Sequence, residues 1–117
     1  MFRFENLKVW HDSRNLVKEI YALTKKFPAE EKFCLTNQVR RAAISTSLNI
    51  AEGSDRKSDK EFGRFLRMAI SSLEEVVTGL YIALDLNYLN KKKFNKIYKD
   101  LNILAAKINA LIKSLKD

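Results

Sequence analysis

Apolar residues recur at helical spacing in four stretches of this chain, and the intervals between the stretches are short and polar. The first stretch, residues 6–27, puts Val9, Leu16, Ile20, Leu23 and Phe27 on one stripe, widened by Trp10, Val17 and Tyr21. Asn6 suits an N-cap, and Phe27-Pro28 predicts the stop, because proline drives the preceding residue out of the helical region. The second helix is predicted over 35–52, with Gly53 as a left-handed residue just past its end. Ser58-Asp59-Lys60-Glu61 then reads as a capping box opening a third helix over 59–86. Its stripe is Phe62, Leu66, Ala69, Leu73, Val76, Val77, Leu80 and Leu84. Asn90 caps a fourth helix over 91–115, lined by Phe94, Ile97, Tyr98, Leu101, Leu104, Ala105, Ile108, Leu111, Ile112 and Leu115. Short connections favour antiparallel neighbours. The expectation is an all-α, up-down-up-down four-helix bundle, one domain over 1–117, with Trp10, Phe27, Leu66, Leu73 and Leu101 buried.

The second helix departs from an ordinary amphipathic pattern. Within "QVRRAAISTSLNIAEG", a core stripe of Leu35, Val39, Ala42, Ala43, Thr46 and Ile50 is backed on the far side by Ile44, Leu48 and Ala51. A helix apolar on two sides is expected to bury both, here against another subunit. The third helix adds a small-residue face of Met68, Ser71, Ser72, Gly79 and Ile82 around Glu75. Arg41, Glu52 and Glu75 are expected to form a charged network at helix or subunit contacts, completed by Asn49, while Arg40 points about 100° away toward solvent. The predicted interface residues are therefore Arg41, Ile44, Leu48, Glu52 and Glu75, in a cyclic homo-oligomer.

Composition supports a helical globule: 117 residues, 46% hydrophobic and 31% charged, with three glycines and one proline. The lone Cys34 excludes an intrachain disulfide and reads as a small buried hydrophobe. Acids and bases within the first ten residues argue against a signal peptide, and no apolar run approaches the roughly 20 residues of a membrane span, so a cytoplasmic protein is expected.

Charge is uneven. The formal net charge is +8, distributed as +3 over residues 1–29, −1 over 30–55, 0 over 56–90 and +6 over 91–117. Lys92, Lys96, Lys99, Lys107 and Lys113 lie off the core stripe of the fourth helix, and Lys91, Lys92 and Lys93 crowd the positive end of its dipole. Such a surface fits a polyanion, contacted through phosphates without base reading; a solvated, solubilising face is the plainer explanation. Catalysis has little support. The single His11 reads as a solvated or capping side chain, Glu-x-x-His pairs and phosphate-binding glycine loops are absent, and neither metal nor cofactor is expected.

"LKVWHDSRNLVKEIYALTKKFPAEEKFCLTNQVRRAAISTSLNIAEG" followed by "EFGRFLRMAISSLEE" resembles the four helix bundle protein family encoded in intervening sequences of bacterial 23S rRNA genes. The resemblance covers about residues 4–89, and rests on Val9-Trp10, Ile20-Tyr21, Phe27-Pro28, Gln38 with Arg41-Ala42, and Asn49-Ile50-Ala51-Glu52-Gly53. The family usually has Gly where Cys34 stands and often Pro where Ser47 stands, so the entry to the second helix and its straightness are expected to differ. The resemblance implies a homopentameric ring and kinship with the accessory variability protein of diversity-generating retroelements, a basic pentamer that binds a reverse transcriptase and nucleic acid. Two functions stay open on these grounds: a non-enzymatic oligomer that binds RNA or DNA with little sequence specificity, and an oligomeric scaffold that docks a protein such as a reverse transcriptase. A membrane-surface role is the weaker third, because the core needs the apolar stripes.

Overall fold

The first helix begins two residues later than its pattern suggests. In the structure, a computed structural model that describes residues 1–116, Arg3–Asn6 forms a 3₁₀ turn and α1 runs Lys8–Thr24. Leu7, extended at φ −92 and ψ 121, is the N-cap; Asn6 lies inside the turn. His11 ties the turn to α1, its Nε2 lying 2.7 Å from the carbonyl oxygen of Glu5, a bond the Nε2–H tautomer donates. At the other end α1 stops three residues short of Phe27. The Phe27 amide still bonds the Thr24 carbonyl at 3.0 Å, and its ring is buried against Tyr88, with centroids 5.8 Å apart.

Helix α2 runs Leu35–Ser54 and α3 runs Asp59–Asp85. Gly53 was expected to end α2 in a left-handed conformation. It lies inside the helix instead, and no glycine among the described residues has positive φ. Its role is contact: a Cβ there would sit 2.5 Å from Cβ of Phe65 on α3. Gly79 on α3 is the counterpart, where a Cβ would meet Cγ2 of Val39 at 2.5 Å. Serines complete the close seams. Ser72 Oγ donates to Ser45 Oγ at 3.0 Å between α3 and α2, and Ser47 Oγ donates to Ser13 Oγ at 2.8 Å between α2 and α1. Ser47 sits in an unbroken α2. Much of the small-residue face of α3 is thus used within the chain: Ser72 and Gly79 are buried against α2.

Of the capping box expected at α3, the Ser58 half forms, while the Glu61 side chain turns to Arg64 instead of the Ser58 amide. Ser58 Oγ accepts from the Glu61 amide at 3.1 Å, and the Glu61 carboxylate bonds the Arg64 guanidinium. Asn87, φ 65, ends α3: its amide bonds the Leu84 carbonyl and that of Tyr88 bonds Ala83, the pairing of a Schellman motif with Asn in the place of Gly. Asn90 Oδ1 accepts from the Lys93 amide at 2.8 Å to open α4, Lys91–Ser114. Tyr88 donates its hydroxyl to Glu31 Oε2 at 2.8 Å, binding this turn to the α1–α2 connection.

Each helix adjoins the next, α4 closes on α1, and the diagonal pairs do not approach. That is the expected up-down-up-down four-helix bundle, without strands among the described residues. Its 44 Å length matches α3, whose 27 residues span about 40 Å at helical rise. Ile20, Ile50, Leu66, Val76, Leu80 and Ile108 are sealed at the centre, and Phe27, Leu73 and Leu101 are buried as expected. Trp10 is only half-buried: its ring lies at the surface between Phe4 and the Arg14 guanidinium. Cys34, expected inside, is exposed, because it occupies the N-cap of α2 ahead of the first core-facing turn. No helix is long and apolar enough to cross a membrane among the described residues.

Candidate subunit and nucleic-acid interfaces

The stripe Arg41, Ile44, Leu48, Glu52 runs down the outer side of α2. Ile44 is half-buried, Leu48 is 61% exposed, and Arg41 and Glu52 are exposed. On α3, Met68 is 42% exposed, Ile82 44% exposed, and Glu75 is exposed. The proposed charged network does not close within one chain. Glu52 pairs with Arg56 at 3.5 Å, Asn49 bonds the Ser45 carbonyl, and neither Arg41 nor Glu75 forms an ion pair among the described residues. The arginine built into the chain is its neighbour. Arg40 Nε donates to Thr24 Oγ1 at 2.8 Å, its guanidinium lies 4.3 Å from the Tyr21 ring centroid, and Nη2 reaches the Tyr21 carbonyl at 3.4 Å. Arg40 therefore caps the C-terminal, electronegative end of α1 rather than facing solvent.

Between α2 and α3 runs an open groove of about 760 Å³, with Leu35, Val39, Ile82 and Leu86 in its lining and Glu31, Glu74 and Glu75 contributing carboxylates. On the opposite side, the lysines predicted to bind nucleic acid split into two groups. Lys96 Nζ lies 2.7 Å from Asp100 Oδ2 and 3.2 Å from Glu19 Oε2; Lys107 Nζ lies 3.2 Å from Asp12 Oδ2, which also pairs with Lys8. Burial alone would raise the Asp12 carboxyl, but hydrogen bonds from the Lys8 and Lys107 ammoniums hold it below its ordinary value. Burial, aided by the neighbouring Asp100, pushes Glu19 up, while the Lys96 bond holds Asp100 down. Lys92, Lys99 and Lys113 are exposed and form no ion pair among the described residues.

Lysines at the close of α1 extend this surface. Lys25 and Lys26 leave α1 at the end where Lys91, Lys92 and Lys93 enter α4, and all five are exposed. The Lys26 ammonium beside it holds Lys93 below the usual lysine range. Below the cluster is a hollow of about 350 Å³ with Leu23, Ile97, Glu19 and Asn90 among its walls and Lys92, Lys93 and Lys96 at its rim. No group of three or more His, Cys, Asp or Glu side chains is placed to hold a metal among the described residues.

These features define a four-helix bundle with an open groove between α2 and α3 and exposed lysines where α1 meets α4. The chain belongs to the 23S rRNA-intervening sequence protein family, matched over residues 5–110. Among solved structures it is similar to a protein of unknown function from the S23 ribosomal protein family of Bacteroides thetaiotaomicron, with 21% identity, a TM-score of 0.83, and coverage of 91% of this chain and 99% of that one. That likeness concerns the fold. No curated protein matches the chain.

Proposed function

We propose that this protein is a non-enzymatic, cyclic homo-oligomer that binds RNA or DNA through its lysine-rich α1/α4 side with little sequence specificity. The observation that carries the reading is the gathering of exposed lysines, without ion pairs among the described residues, where the close of α1 meets the start of α4. On the other helix pair, Leu48, Met68 and Ile82 leave apolar side chains exposed on α2 and α3. The first surface suits a polyanion and the second a second copy. Five subunits is the number the family resemblance implies. A ring multiplies the +8 charge of each chain, so avidity of about 10²–10⁴ is available to weak phosphate contacts.

The groove between α2 and α3 favours a second reading, a scaffold that seats an apolar segment of a protein partner, such as a reverse transcriptase, without touching nucleic acid. A low-salt filter-binding titration separates the two. Retention of unrelated RNA or DNA sequences with similar affinity, falling steeply with salt, is expected of the binder. No retention by an oligomer of verified mass decides for the scaffold.

A further inference from the structure

The lysines of α4 are not equivalent, and their difference locates the contact. Lys96 already faces Glu19 across the α1–α4 seam and Asp100 on its own helix, and Lys107 faces Asp12 across the same seam. An incoming phosphate would have to compete with those acids and would meet their repulsion. At the end of the bundle the situation reverses. Lys26 from the close of α1 stands beside Lys93 from the start of α4, and Lys92 and Lys93 rim a hollow whose carboxylate, Glu19, is already bonded to Lys96; Lys26, Lys92 and Lys93 form no ion pair among the described residues. The nearest acids in sequence, Glu30 and Glu31, lie toward Tyr88, and Glu31 is bonded to the Tyr88 hydroxyl and the Leu35 amide. The Lys26 ammonium beside Lys93 disfavours the charged form of Lys93.

We propose, resting on the nucleic-acid reading above, that the phosphodiester backbone is held at this end of the bundle by Lys26, Lys92 and Lys93, and that Lys96 and Lys107 fasten α1 to α4. A phosphate between two opposed ammoniums removes their repulsion and gains two charge-assisted hydrogen bonds. The contact is to backbone oxygens, so ribose and deoxyribose strands are both accommodated.

Two charge-matched double variants test the assignment: Lys26→Ser with Lys93→Ser, and Lys96→Ser with Lys107→Ser. Each removes two charges, so net charge alone predicts equal losses. Binding is read by fluorescence anisotropy with labelled single strands of about twenty nucleotides, RNA and DNA in separate arms. The first pair is expected to weaken binding about tenfold or more at low salt and to flatten the salt slope by about 1.4, at about 0.7 per lost contact. Its melting temperature should hold or rise, since a repulsion is gone. The second pair is expected to lower the melting temperature while affinity stays within about threefold. Equal losses of affinity, or a larger loss from the second pair, overturn the assignment while leaving nucleic-acid binding standing. No binding by the unaltered protein removes the functional reading itself, and this inference with it.

Discussion

Arg40 and Arg41 are adjacent in sequence and about 100° apart around α2, and that rotation gives them different work. Arg40 lies over Tyr21 and bonds both Thr24 and the last turn of α1; Arg41 is exposed. Removing Arg40 deletes a ring contact and hydrogen bonds but strands no buried group, because Thr24 Oγ1 also bonds the Ile20 carbonyl at 2.8 Å. Arg40→Ala is therefore expected to cost about 1–2 kcal/mol in urea denaturation. Arg41→Ala should cost less than about 0.5 kcal/mol at concentrations where the chain is monomeric. Equal costs would show that the guanidinium–Tyr21 contact adds nothing. From the sequence, Arg41 was expected to hold contacts and Arg40 to face solvent, and within one chain the roles are reversed. The angle between them was legible, but the core stripe of α2 does not reveal that the end of α1 passes beside Arg40 and not Arg41.

At the scale of the elements, the sequence carried what is local and missed what is shared. Helix starts marked by a side-chain cap, Ser58 and Asn90, were readable because cap and bonded amide lie three residues apart. Gly53 was misread because a glycine after an apolar run resembles a helix end; its cause is Phe65 on another helix. Cys34 was misplaced because hydrophobicity was weighed without its cap position. The lysine cluster at the bundle end follows from antiparallel topology, which sets the close of α1 beside the start of α4. The acids opposite Lys96 and Lys107 depend on side-chain register and could not be read. That register supplies a pH test. The Lys8 and Lys107 bonds depress the Asp12 carboxyl in the folded chain, so its contribution is complete above the unfolded value of about 3.9 and is lost as pH falls through the lower folded value. Glu19 works in the opposite sense, its raised carboxyl favouring protonation in the fold. The stability difference between the unaltered protein and Asp12→Asn isolates the first effect. It should be present at pH 6 and shrink toward pH 3 in urea titrations. A difference that stays constant would show that the α1–α4 seam does not depend on the Asp12 charge.

For the whole molecule the open question is what covers α2 and α3. A single chain seals its core and still leaves Leu48 61% exposed, one turn from the half-buried Ile44, with Met68 and Ile82 also exposed on α3. Burying one leucine side chain is worth about 1.5–3 kcal/mol, and in a ring every subunit would gain at two contacts. Leu48→Lys replaces that gain with the cost of desolvating an ammonium, while the side chain points away from the chain's own core and leaves its helices undisturbed. The unaltered protein is expected by light scattering at a multiple of its 13.6 kDa mass, five-fold by the family resemblance, and Leu48→Lys at the monomer mass with unchanged circular dichroism. Ile103→Lys is the control: Ile103 is 45% exposed, but it lies on α4 beside the lysine-bearing seam, and its variant should stay assembled. Dissociation by both variants would mean that the assembly surface is not confined to α2 and α3. A monomer for the unaltered protein at micromolar concentration would leave that face to the partner of the scaffold reading, and the ring with its avidity would have to be abandoned.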